Sequence, residues 1–328
     1  MSQASYAAIH DMLAAEPDTE KRSRLEQFVF AAVCAWPHYS VLHAAQAAIQ
    51  LATPMRIFEL QSFAGVKHAL THVDMRSALE WDVLGFHAGE NALSILLSDA
   101  NDPFAPPTLH LLSHDVVPYQ PGPIPSLDSQ IAQWRRRRGP FHAQPTYVGF
   151  HRTFNEDTAR MLGNIAQIGA LATWENTLVD AASWAELRHP PVITGDAPPE
   201  LLTEDNAWYH FRIGKHLGRD AFAEIVLCLG NVFCQHLPQV WQTHLPTRDL
   251  DSTTVLIEAE AAGAIAIARL GGPSRRGASF FSDALLNDAH PLPESFRFDI
   301  VLHAACQIQD LLGGDTPAVT STAWSSGH

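Results

Sequence analysis

The fold class that the sequence predicts is all-α, a bundle of roughly ten helices with two long proline-rich loops. Two observations predict it. Apolar residues recur at helical spacing through most of the chain, and almost no stretch alternates as half-buried strands do. The proline-rich connections are 100–125 and 188–200. We therefore expect a single helical domain over residues 1–314 and a flexible tail over 315–328.

The helices are predicted from their periodicity and their start and stop signals. Over 20–36, Leu25, Phe28 and Val29 share one face, and Pro37 ends the helix. Thr53 followed by Pro54 is typical of a helix start and predicts a helix over 53–73. The remaining predicted helices are 38–52, 75–99, 126–138, 155–188, 203–237, 252–270 and 295–314.

Composition excludes several classes of function. The 328 residues are 46% hydrophobic and 17% charged, which is typical of a globular protein. A net charge of −14 disfavours nucleic acid and membrane surfaces as partners. The four cysteines form no CxxC pair, which disfavours a zinc ribbon or a disulfide framework. With no signal-peptide pattern and no apolar run of membrane-spanning length, we expect a cytoplasmic protein.

The first candidate site surrounds His210 in "AWYHFRIGKHLG". In the predicted helix, Gly214 lies one turn after His210, although glycine costs a helix interior roughly 1 kcal/mol relative to alanine. A bare backbone there would let a flat macrocycle lie against the helix, and one neutral histidine is the usual proximal ligand of haem. A helix bend or a close helix–helix approach is the alternative explanation.

The second candidate site is His87 in "LGFHAGENAL". On the predicted helix over 75–99, His87 lies beside the apolar stripe and Glu90 follows at i+3, within hydrogen-bonding reach. The alternative is a structural histidine that a neighbouring carbonyl group satisfies.

Two arginine clusters are candidates for anion binding. Arg135 to Arg138 form a run of four, and Arg275 lies in the "GGPSRRG" segment. A guanidinium group suits haem propionates or a substrate carboxylate. A solvated helix end would explain such a run equally well. No GxSxG, Walker, Rossmann or HExxH motif occurs, so nucleophile triads and nucleotide sites are not favoured.

Taken together, "FHAGENALSIL" and "WYHFRIGKHLG" resemble the distal and proximal motifs of the tryptophan 2,3-dioxygenase superfamily of histidine-ligated haem proteins. The glycine-, threonine- and serine-rich loop of the dioxygenases does not follow His210, and the nearest analogue is 271–283. The chain is therefore more similar to the bacterial haem-dependent hydroxylases that convert L-tyrosine to L-DOPA in natural-product biosynthesis.

This resemblance implies an oxidoreductase, a haem b monooxygenase that hydroxylates an aromatic amino acid with peroxide or dioxygen, as in antibiotic biosynthesis. By analogy it also implies a homo-oligomer. The residues that it assigns are His210 as the axial iron ligand, Gly214, Arg135 and Arg138 around the haem, His87 and Glu90 as the catalytic acid–base pair, and Phe86, Trp81, Tyr209 and Arg275 around the substrate.

Three alternatives stay open. His87, Glu90 and His210 could form the two-histidine, one-carboxylate site of a non-haem iron oxygenase. A haem carrier or sensor would use His87 as a second iron ligand. A non-catalytic helical interaction protein would keep the histidines for structural reasons. Within the haem hypothesis, His216 is the next candidate for the axial position.

Overall fold

The structure is a computed structural model that describes residues 3–60, 62–70, 73–98, 105–119, 154–176, 183–189, 198–215, 221–240, 247–272 and 292–313. Helices make up about 53% of it and strands about 16%, in three sheets, so the all-α prediction is wrong. The chain divides into two compact units. The first is Met1–Ser5 with Met12–Pro145, and the second is Tyr6–Asp11 with Thr146–His328.

The early helices follow their sequence signals. The Asp18 side chain accepts hydrogen bonds from two amides in the first turn of α2 (Thr19–Ala35), and the Ser40 side chain accepts one in the first turn of α3 (Val41–Leu51), so both predicted helices are confirmed. The predicted helix over 53–73 begins too early, because turns and a short 3₁₀ helix (Ile57–Glu59) precede α4 (Phe63–Leu70). The helices of this part of the chain are α1 (Gln3–Ala14), α2 (Thr19–Ala35), α3 (Val41–Leu51), α4 (Phe63–Leu70) and α5 (Ala78–Val83).

The predicted long helix over 75–99 is wrong. Ser77 and Glu80 form a capping box that begins the short helix α5, and Gly85, with a φ of 88°, follows its end. Short strands occupy the rest of this stretch, and two more lie in the connection predicted as irregular. The strands are β1 (Met75–Ser77), β2 (Phe86–Ala88), β3 (Ile95–Leu97), β4 (Thr108–Leu112) and β5 (Val116–Pro118).

These five strands form two antiparallel sheets, one in the order β1-β4-β3 and one that pairs β2 with β5. His110 of β4 lies opposite Ser77 on one side and Ile95 on the other. Helix α3 covers the outer edge of β3. The Gln50 side chain donates to the carbonyl oxygen of Leu96 and accepts from its amide. Such cover keeps an edge strand from pairing with another chain.

The second unit holds the third sheet. Its elements are α6 (Phe154–Ala166), β6 (Ala170–Glu175), β7 (Ser183–Leu187), β8 (Tyr209–Gly214), α7 (Ala221–Phe233), α8 (Ser252–Leu270) and α9 (Phe298–Gly313). The strand order is β6-β8-β7, with β6 parallel and β7 antiparallel to β8. The predicted helices over 252–270 and 295–314 are confirmed, whereas those over 155–188 and 203–237 are wrong where β6, β7 and β8 lie.

Helices α7, α8 and α9 pack on one another, and α7 also packs on β7 and β8. The buried carboxylate of Glu258, on α8, binds side chains and backbone of the segments that follow α7 and precede α8 and α9. It accepts hydrogen bonds from Arg248 Nη1 at 2.6 Å, the Arg297 amide at 2.8 Å and, at 2.9 Å, His236 Nε2. A buried charge with this many donors is compensated, so we assign the cluster a structural role.

Some predictions fall on residues that the structure does not describe. They are the helix over 126–138, most of the loop over 271–283 and the tail over 315–328. The extent of a single domain over 1–314 stays a prediction.

Candidate functional site

Strand β8 separates two kinds of side chain. Tyr209, Phe211 and Ile213 are completely buried, and His210 and Arg212 alternate with them on the opposite face. Directly paired residues of neighbouring strands share a face. The charged, polar and aromatic residues of this face, called the His210 face below, are Thr173 and Glu175 of β6, Trp184 and Glu186 of β7, Arg188 just after β7, and His210 and Arg212 of β8.

Charges alternate across the His210 face. Glu186 Oε1 lies 3.4 Å from Arg188 Nε and 3.2 Å from Arg212 Nη2, and Arg212 Nε lies 3.5 Å from Glu175 Oε1. These four side chains are 25% to 36% exposed, so they reach solvent while they are held in place. The face therefore offers two guanidinium groups and two carboxylates side by side.

His210 lies beneath this charged row and is only 1% exposed. Its Nε2 is 2.7 Å from Thr173 Oγ1, and its Nδ1 is 3.5 Å from Arg188 Nη1. Because a guanidinium group only donates, Nδ1 accepts and the ring carries its hydrogen on Nε2. Burial lowers the pKa of His210, as do Arg212 and Arg188, against the opposing effect of Glu204 and Glu186. The ring is therefore neutral at pH 7.

Trp184 adds an accessible aromatic surface to the same face. It is 57% exposed, whereas Trp208 in the same unit is 7% exposed. Trp184 pairs directly with Arg212 across the strands, so the two side chains leave the sheet next to each other on the same face. An exposed indole beside a guanidinium group and carboxylates can bind an aromatic ring, an anion and a cation at one place.

The structure corrects the geometry predicted for the proximal site. His210 and Gly214 lie on a strand, where four residues span about 13 Å at roughly 3.3 Å per residue, so Gly214 does not lie under the His210 ring. Both ring nitrogens already have partners and the ring is buried. The residues present therefore do not fit His210 as an axial haem ligand.

Tyr209 belongs to the core of the second unit. Its hydroxyl group donates to Pro238 O at 2.7 Å and accepts from the Val240 amide at 3.1 Å. Burial raises the pKa of Tyr209 to about 12. The side chain thus faces away from His210, on the buried side of the sheet.

The residues predicted for the distal site lie in the first unit. His87 is an exposed residue of β2, its Nδ1 lies 2.9 Å from Ala88 O, and its ring contacts that of Tyr119. Glu90 is exposed beyond the end of β2, so the helical i, i+3 relation to His87 does not exist. The first unit holds His87 and the second holds His210, and neither unit contains both.

The aromatic residues predicted beside His87 pack on each other. Trp81 is 5% exposed and donates from Nε1 to Leu111 O at 2.9 Å. Phe86 is half-buried and meets the Trp81 ring edge-on at a centroid distance of 5.8 Å. Trp81 is therefore a core residue of the first unit.

The predicted anion-binding residues Arg135, Arg138 and Arg275 lie outside the described residues, as does His216. Within the described ranges, no group of three or more histidine, cysteine, aspartate or glutamate side chains could hold a metal ion. None of the helices described there is long and apolar enough to cross a membrane.

Sequence reasoning selected His210 but missed the other six residues of the His210 face. A signal for most of them is present: "YHFRI" (209–213) and "AELR" (185–188) each alternate between small or apolar and polar side chains. Strict alternation is the pattern of a strand with one buried face. Comparison of the chain with protein-family models, curated proteins and solved structures finds no match.

Proposed function

We propose that the protein binds a small aromatic amino acid on the His210 face. The observation that carries this proposal is the Trp184–Arg212 pair with a carboxylate on either side, from Glu175 and Glu186. The indole would stack on the ring of the ligand and the guanidinium group would bind its carboxylate. One of the two glutamates would accept a hydrogen bond from its ammonium group.

The charge balance of the His210 face favours a zwitterion. Two arginines and two glutamates compensate each other there. A zwitterionic ligand supplies one charge of each sign and leaves no charge uncompensated on binding. The resemblance of the sequence motifs implies a ligand of the same class, L-tyrosine.

The energetic cost of admitting such a ligand is small. Exposed ion pairs contribute roughly 0–1 kcal/mol each, so a ligand carboxylate can replace one protein carboxylate at little cost. An aromatic contact adds about 0.5–1.5 kcal/mol beyond the area that it buries. We expect a Kd between about 1 μM and 1 mM, which corresponds to roughly 8 to 4 kcal/mol of binding free energy.

The first experiment is calorimetric titration with L-tyrosine, with tyramine, which lacks the carboxylate, and with 3-(4-hydroxyphenyl)propionate, which lacks the ammonium group. We expect L-tyrosine to bind and each analogue to bind at least about tenfold more weakly, because a hydrogen bond to a charged group contributes roughly 1.5–3 kcal/mol. Equal affinity for all three compounds, or binding of none, would contradict the proposal.

Variants then assign the binding to the His210 face. We expect Trp184→Ala and Arg212→Gln each to weaken L-tyrosine binding by about tenfold, which is roughly 1.4 kcal/mol. Leu201→Ala is the matched control, because Leu201 is 67% exposed in the same unit but lies outside this face. Circular dichroism of each variant checks that it is folded. An unchanged Kd in both site variants would refute this location.

Ring hydroxylation of the bound amino acid by haem and peroxide or dioxygen stays a prediction from the sequence motifs, as do the cytoplasmic location and the homo-oligomeric state. Binding on the His210 face does not depend on these predictions. If the protein carries haem, we expect the axial ligand to be a residue other than His210.

A further inference from the structure

His210 is buried directly beneath the groups that would meet the ligand. We propose that ligand binding on the His210 face is coupled to the uptake of one proton by His210. This inference rests on the proposed function and adds regulation by pH to it.

Every element around the ring contributes a group that bears on its charge. Thr173 of β6 accepts from Nε2, and Arg188 after β7 donates to Nδ1. Glu186 of β7 has Oε1 at 3.8 Å from Nδ1, which is too far for a hydrogen bond. The other charged groups that bear on the ring are Arg212 of β8, with its partner Glu175 of β6, and Glu204 in the segment before β8.

A bound carboxylate would change this balance in favour of the imidazolium form. Burial keeps the ring neutral, and the positive charges of Arg212 and Arg188 add to this effect. The bound carboxylate compensates these two charges, and Glu186 stays available to the ring because Glu175 accepts from the ammonium group of the ligand. If Arg188 turns towards the ligand, Nδ1 also loses its hydrogen-bond donor.

The protonated ring would then have an acceptor for each N–H group. Thr173 Oγ1 continues to accept from Nε2, and Glu186 Oε1 needs to approach Nδ1 by less than 1 Å to reach hydrogen-bonding distance. The proton comes from the solvent, and no other bond is made or broken. The protein therefore already contains the partners that an imidazolium at this position requires.

The sign of the pH dependence follows from linkage. Between the pKa of His210 in the free protein and its higher pKa in the complex, binding takes up a proton. In that interval a lower pH strengthens binding, by up to tenfold in Kd per pH unit. Outside the interval, His210 does not make the affinity depend on pH.

The test is calorimetry of L-tyrosine binding at pH 6.5, the ordinary pKa of histidine, and at successively lower pH, in buffers of different ionisation enthalpy. The slope of the observed enthalpy against the buffer enthalpy gives the number of protons taken up. We expect up to one proton for the natural protein and none for His210→Gln. His189→Gln is the control, because His189 is exposed in the same unit and should leave the slope unchanged.

The outcomes separate the two proposals. If L-tyrosine does not bind at any pH, the proposed function fails and the coupling fails with it. If it binds with no dependence on the buffer, or if His210→Gln still takes up the proton, only the coupling is refuted. Should His210→Gln fail to fold, NMR of the histidine rings in the natural protein decides, because His210 must shift to the imidazolium form when L-tyrosine is added.

Discussion

His110 shows how a single buried residue makes stability depend on pH. It is 8% exposed, its Nε2 lies 3.1 Å from Thr108 Oγ1 and its Nδ1 lies 3.2 Å from the Tyr39 hydroxyl group. That hydroxyl group donates its one hydrogen to Met75 O at 2.7 Å, so it accepts from Nδ1–H of His110. Burial lowers the pKa of His110 from 6.5 to about 4, with Glu80 opposing the shift and His43 adding to it.

We expect the free energy of unfolding to fall as the pH falls from 6.5 to about 4, because the unfolded chain takes up a proton at His110 that the folded chain does not. The contribution is about 1.4 kcal/mol per pH unit at most. Urea unfolding of the natural protein and of His110→Gln across this interval measures it.

As the pH falls through this interval, the free energy of unfolding of the natural protein should decrease relative to that of His110→Gln. His189→Gln, which changes an exposed histidine, should instead parallel the natural protein. A difference between His110→Gln and the natural protein that stays constant with pH would refute the assignment.

At the scale of elements, the crossing of α7 and α8 depends on Gly230. A Cβ atom added there would lie 2.6 Å from Ala259 O and 2.8 Å from Ala259 Cα, closer than real Cβ atoms approach. The obstacle is backbone, so the two helices would have to move apart. The glycine thus permits the close packing, at the expense of helix propensity.

Gly230→Ala should therefore destabilise the protein by about 1–3 kcal/mol, the usual cost of overpacking a core. Gly65→Ala is the matched control, because Gly65 also lies in a helix and an added Cβ there meets no atom closer than 3.7 Å. We expect Gly65→Ala to stabilise by up to about 1 kcal/mol. Thermal unfolding measures both, and a change of the same sign in the two variants would contradict this account.

At the scale of the whole molecule, the haem hypothesis needed His87 and His210 to face one iron atom. In the structure the two histidines belong to different compact units, and both ring nitrogens of His210 have hydrogen-bond partners, Thr173 and Arg188. The arginines that this hypothesis assigns to the haem and the substrate, Arg135, Arg138 and Arg275, lie outside the described ranges.

We expect His210→Ala, expressed with a haem precursor, to show the same visible absorption spectrum as the natural protein, because the buried ring offers iron no unpartnered nitrogen. The control is His189→Ala, expressed in the same way. An intense haem band that is present in the natural protein and in the control, but lost in His210→Ala, would restore His210 as the axial ligand.

The sequence by itself determined the helices whose signals are local. Asp18 caps α2, Ser40 caps α3 and Asp251 caps α8, and each lies next to the apolar repeat that it begins. A helix closes its hydrogen bonds within the segment, so neighbouring residues suffice to predict it. The choice of His210 as a site residue also came from the sequence.

Only the tertiary structure decided the strands and what surrounds His210. Strands β1, β2, β3 and β5 have three residues each, too few to show an alternation, and their hydrogen bonds are made with other segments. The partners of His210 come from β6 and from the end of β7, Thr173 being 37 residues away and Arg188 being 22 residues away along the chain. The sequence therefore predicted helices where the chain forms paired strands. The Trp184–Arg212 pair is seen only in the structure, where β6, β8 and β7 lie side by side.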